Sequence, residues 1–207
     1  MNELSTRAIL ERANQLLRQA KLSLDDLESQ DPERRVAAMR NIIVWTRGVT
    51  PVLQKLRSTV PDFDRWYEPY QKEMENDPLL RYLYLLRNDI LKEGKTPPVS
   101  FSIHITSMST SDLGPPPPNA RGMFIGDQLG GIGWEIELDD GTVEKQYVKL
   151  PETQVQMWHG FADAPDSHLG EPLKDNSFQN ICRLYLAYLD RLVHDARSTF
   201  DSPERSI

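Results

Sequence analysis

DPLLRYLYLLRNDILKEG, Asp77 to Gly94, is the stretch on which the fold turns. Asp77-Pro78 is a helix start. A short acidic side chain can cap the first free amides, and proline is preset for the first helical position, where its missing N–H costs nothing. Gly94 is a helix stop, because glycine accepts the left-handed conformation that ends many helices. Just beyond, at Thr96-Pro97-Pro98, the helical pattern gives way to alternation. This helix therefore closes a helical half and opens a β-rich one.

Upstream, Leu4, Ile9, Leu10, Leu16 and Leu17 recur at helical spacing. Asp31-Pro32 is a further start signal, and Val36, Met39, Ile43, Val44, Leu53 and Leu56 make a second apolar stripe that Gly48 and Pro51 interrupt. VPDFDRWYEPY reads as a connector with one aromatic turn. Downstream, Val99 to Met108 alternates as a strand, with Phe101, Ile103 and Ile105 on one face. SDLGPPPPNARG is a stiff loop, since prolines cannot join a ladder. In GWEIELDDGTVEKQYVKL, Asp139-Asp140-Gly141 is a hairpin turn, with Trp134, Ile136 and Leu138 alternating before it. Residues 152–175 show no periodicity. Asn176 to Phe200 is a closing helix with Ile181, Leu184, Tyr185, Tyr188, Leu189 and Leu192 on one face.

The expected fold is mainly α with a β insertion: a four-helix-bundle-like core with a small antiparallel sheet before the last helix. Residues 1–200 make one domain, 97–175 are the insertion, and 201–207 form a flexible tail. The chain carries a net charge of −7, which argues against a protein that coats nucleic acid but leaves room for a local basic cleft. Cys182 stands alone, so neither an internal disulfide nor a cysteine-based zinc cluster can form. No apolar run approaches the roughly 20 residues that cross a bilayer, and the N-terminus lacks the pattern of a secretory signal. A cytoplasmic protein without membrane partners is expected.

The helix from Asp77 resembles the conserved helix of HEPN domains, the "higher eukaryotes and prokaryotes nucleotide-binding" group. The family motif is an arginine, often a polar residue, and a histidine a few residues on. Arg87 and Asn88 match its first positions, and Lys92 stands where the histidine belongs. The resemblance implies a helical bundle, a homodimer with motif residues facing across its interface, and a toxin–antitoxin or defence role. It also implies metal-independent RNA cleavage with no cofactor, in which Arg87, Asn88 and Lys92 are the catalytic candidates and Arg87, Lys92 and Lys95 the phosphate contacts.

The departure at Lys92 bears on the chemistry. Histidine titrates near pH 6.5 and relays protons, whereas lysine, near 10.4, stays charged unless buried or crowded by cations. Losing that relay forfeits roughly 10²–10⁴-fold in rate. Asn88 and Lys92 share a helix face, and Arg87 is rotated from Asn88 by about 100°.

Other candidates carry bland alternatives. His104 lies out of phase with the apolar face of its strand. His159 and His168, with Asp163 and Asp166, have the ingredients of a metal site, but their spacing fits a polar loop better. His194 fits a helix surface, and Cys182 a core position. Gly94-Lys95-Thr96 ends like a P-loop without the glycine that motif requires, and FIGDQLGGIGWEI fits a turn or bulge better than a phosphate cradle.

Three functions stay open. The first is a HEPN-like protein without RNase chemistry that binds RNA, a nucleotide or a protein partner. The second is a metal-independent RNase using Arg87, Asn88 and Lys92. The third is a helical interaction protein unrelated to HEPN.

Overall fold

A computed structural model describes residues 4–29, 31–94, 99–151 and 153–201. Lys95, Thr96-Pro97-Pro98 and most of the C-terminal tail thus lie outside the described residues. Among the described residues six helices form the framework: α1 (Thr6–Lys21), α2 (Pro32–Thr46), α3 (Val49–Leu53), α4 (Phe63–Asn76), α5 (Pro78–Glu93) and α6 (Phe178–Phe200). The protein is mainly α, with the strands inserted between α5 and α6.

The cap residues act as their chemistry dictates. The Asp31 side chain accepts from the amides of Glu33 and Arg34, and that of Asp77 from Leu80. Gly94 ends α5 at φ 63°, a conformation that favours glycine. Helix α2 is central and packs on α1, α5 and α6. Ile9, Leu10 and Leu17 of α1, Met39, Ile42 and Ile43 of α2, Leu79 and Leu83 of α5, and Ile181, Leu189 and Leu192 of α6 fill one continuous core. Burying each large aliphatic side chain contributes about 1.5–3 kcal/mol.

The segment with Phe63 to Asn76 is a helix, not the connector its sequence suggests. Pro69 inside it removes one ladder hydrogen bond. Aromatic packing offsets that loss: Phe63 stacks on Tyr67 at 5.2 Å, and Trp66 meets Tyr70 at 4.9 Å and Phe200 of α6 edge-on at 5.0 Å.

Among the described residues the insertion makes three small antiparallel sheets rather than one. Strand β1 (Val99–Ile105) pairs with β5 (Val155–Phe161); β2 (Ala120–Ile125), β3 (Ile132–Glu137) and β4 (Val143–Tyr147) form a meander; β6 (Ser167–His168) pairs with β7 (Glu171–Pro172). The turn through Asp140 and Gly141 closes the β3–β4 hairpin as its sequence dictates, with Gly141 at φ 83°. Leu113, Ile132, Leu150 and Val155 form a second, smaller core. Strand β5 ties the two halves together, because Phe161 reaches into the helical core and packs on Phe178 at 4.8 Å.

An arginine-lined cleft as the candidate functional site

Helices α4, α5 and α6 and the turn after α3 enclose a cleft of about 780 Å³. Three arginines line it: Arg57 from the turn, and Arg81 and Arg87 from α5. Arg81 and Arg87 recur six residues apart, and Tyr84 between them lines the same cleft. The Arg87 guanidinium lies over the Tyr84 ring at 4.6 Å and donates to Asn88 Oδ1 at 3.2 Å. Its Nε is buried without a hydrogen-bond partner, and no ion pair engages Arg81 or Arg87 among the described residues. Arg57 is held by exposed Asp64 at 2.5 Å.

The neutral walls are aromatic and amide groups. Gln54 donates to the Tyr67 hydroxyl at 3.3 Å, and Tyr185 sits where the Arg87 charge is felt. Burial pushes the Tyr67 and Tyr185 hydroxyls up, so both stay protonated and do not act as bases. Glu75 is the one acid lining the cleft among the described residues, and it accepts from Gln71 at 3.0 Å.

The predicted triad is brought together only in part. Arg87 enters the cleft and Asn88 holds its guanidinium, but Lys92 is exposed near the end of α5 and is not among the lining residues. Lys95 falls outside the described residues. No local pattern marks Arg57, Arg81 or Tyr84, whose juxtaposition arises only when four elements converge.

No histidine lines the cleft. His104 and His194 are exposed. His159 and His168 are buried in β5 and β6, not placed in a polar loop. Among the described residues no three His, Cys, Asp or Glu side chains gather where a metal could sit. Cys182 is sealed in the core, and burial pushes its thiol up to about 12, which leaves it inert.

The two buried histidines make different contacts. His168 Nδ1 lies 3.0 Å from Asp77 Oδ1, and the Leu169 amide donates to Asp77 Oδ2 at 2.6 Å. The residue that caps α5 thereby also pins the β6–β7 ribbon to it. Burial pushes the Asp77 carboxyl up, but the Leu169 and Leu80 amides and His168 outweigh it and hold the group below its ordinary 3.8. His159 Nε2 lies 2.7 Å from the Leu129 carbonyl and 3.1 Å from Arg35 Nη2. Asp127 shapes that loop by accepting from the Leu129 and Gly131 amides and from the Tyr147 hydroxyl, at 3.0, 2.9 and 2.6 Å. A Cβ at Gly130, whose φ is +75°, would meet His159 Nε2 at 2.8 Å. Burial first, and the Arg35 charge second, push His159 down to about 4, so it is neutral at pH 7.

A family model described as bacteriophage lambda protein ea47 matches residues 7–117, just over half of the chain. That span runs from α1 through the strand β1 and includes every cleft residue named above except Tyr185. No curated protein and no solved structure matches the chain. No helix among the described residues is long and apolar enough to cross a membrane.

Proposed function

The chain belongs to the bacteriophage lambda protein ea47 family, and from its cleft we propose that it binds single-stranded RNA without cutting it. One observation carries this reading. In a chain of net charge −7, three arginines converge on one cleft beside an aromatic face, and two of them have no acidic partner among the described residues. Guanidinium groups match phosphate geometry, and a ring beside them offers a base a stacking surface. The resemblance of the Arg87 helix to the HEPN motif supports RNA as the polymer.

The absence of cleavage follows from what lines the cleft. Cutting RNA through its own 2′-hydroxyl needs a group that exchanges a proton near neutral pH. Arginine stays charged, the buried tyrosines stay protonated, and Lys92 stands off the cleft. Binding with no relay leaves the polymer intact.

The test is fluorescence anisotropy with a labelled 12-nucleotide oligouridylate, run beside a gel assay of the same RNA without metal. Three phosphate contacts predict that affinity falls about twentyfold between 50 and 200 mM salt. The RNA should emerge uncut. Binding that is absent, or insensitive to salt, overturns the proposal. Scission by the wild type that Lys92→Ala abolishes would establish the nuclease instead.

A further inference from the structure

The surface arginines Arg34, Arg57, Arg183, Arg191 and Arg197 each pair with an acid. Arg35 does the reverse. It is only 4% exposed, yet among the described residues no carboxylate lies within ion-pair distance of it. Its guanidinium touches the Ser29 carbonyl, Met157 Sδ at 3.9 Å and His159 Nε2 at 3.1 Å, all uncharged partners. Asp31 acts on it only through space. A buried cation ordinarily has an anion beside it, because its lost hydration is otherwise uncompensated.

His159 marks the same deficit. One ring nitrogen either donates or accepts. The Leu129 carbonyl, 2.7 Å from Nε2, needs it to donate, while Arg35 Nη2, 3.1 Å from the same atom, needs it to accept. An additional acceptor that took the Arg35 N–H would let His159 donate to Leu129 without conflict.

Arg35 and His159 share a wall of a cavity of about 260 Å³ between α2, the 27–29 segment and β5. Ser29, Gln156 and Gln179 supply polar walls. Glu28, the one acid lining it among the described residues, is drawn to Arg183 at 2.7 Å. The volume is below the roughly 300–1,000 Å³ of drug-sized ligand sites, which restricts the occupant to a small molecule. We propose that this cavity binds a small oxyanion, with Arg35 as its charge partner and His159 oriented by its arrival. The site is separate from the arginine-lined cleft and shares no residue with it.

The test follows the Arg35 Nε–Hε resonance by NMR while full-length protein is titrated with inorganic phosphate or with acetate, against sodium chloride at matched ionic strength. A saturable shift with a midpoint in the low millimolar range is expected from at least one of the two. Saturation by phosphate alone assigns a phosphoryl site, and by acetate alone a carboxylate site. Gln156→Trp, a change at an exposed position on the cavity mouth, should raise the midpoint at least tenfold while the melting temperature holds. Shifts no larger than those of chloride, or a midpoint unchanged in Gln156→Trp, overturn the proposal.

Discussion

Arg87 and Arg35 are both helix arginines with a buried, unbonded Nε, yet they sit in opposite surroundings. Arg87 lies on the cleft side of α5, half-buried, resting on Tyr84 and steadied by Asn88. Arg35 is driven into the seam between α2 and β5, where its contacts bridge the 29-carbonyl and two side chains of the insertion. The first cation can exchange its neighbours for a ligand at little cost to the fold. The second is part of what joins the two halves. Burial alone therefore does not say what losing a cation costs the fold; what matters is whether its contacts cross between separate parts of the core.

The difference can be broken most easily at Arg35. Arg35→Ala should cost about 3 kcal/mol of unfolding free energy, from a new cavity and an unsatisfied Ser29 carbonyl. A denaturant midpoint equal to wild type would show that the seam does not need it. His159 provides a pH counterpart. Its folded value, about 4, lies below its ordinary 6.5, so the fold favours the neutral ring. That stability is complete above pH 6.5 and is lost as pH falls toward 4. His159→Gln should flatten stability across this window, and an NMR titration of His159 near 6.5 would contradict the account.

Asp77 joins α5 to the β6–β7 ribbon and should rank next. Asp77→Ala removes a cap and two buried hydrogen bonds, at a cost of about 2 kcal/mol in urea unfolding. Its carboxyl is held below 3.8, so its contribution is present above that pH and lost as pH falls through the folded value. Arg87→Ala should behave oppositely to both: under about 0.5 kcal/mol in stability, but a roughly tenfold loss of RNA affinity, the size of one charged phosphate contact. The smallest effect belongs to Lys92. Exposed and off the cleft, Lys92→Ala should leave stability and RNA affinity within error, and Lys92→His should not create a nuclease.

The helices were legible where local chemistry decides. Asp31-Pro32, Asp77-Pro78 and Gly94 mark their ends by capping, and the apolar faces of α1 and α6 repeat as packing requires. Helix α4 was hidden by Pro69, although Phe63, Trp66, Tyr67 and Tyr70 already kept helical spacing. Strand β5 was hidden because its stabilising partner β1 lies some fifty residues earlier in the chain, and its own alternation is blurred by continuous burial from His159 to Phe161. Of the cleft, the sequence points to Arg87 alone, through the resemblance of its helix to a family motif; Asn88 holds its guanidinium from outside the lining. Arg57 and Arg81 carry no local mark, and neither does the Arg35–His159 contact, which spans 124 residues. Lys92 illustrates the converse: motif spacing selects it, but rotation along α5 leaves it outside the cleft.

The most direct measurement is the salt dependence of RNA binding in wild type and Arg87→Ala side by side. Each lost phosphate contact on a single strand should reduce the slope of log affinity against log salt by about 0.7. A slope lower by that amount in Arg87→Ala, with an unchanged thermal midpoint, is the predicted result. Equal slopes in the two proteins would contradict the assignment of this cleft to an RNA backbone.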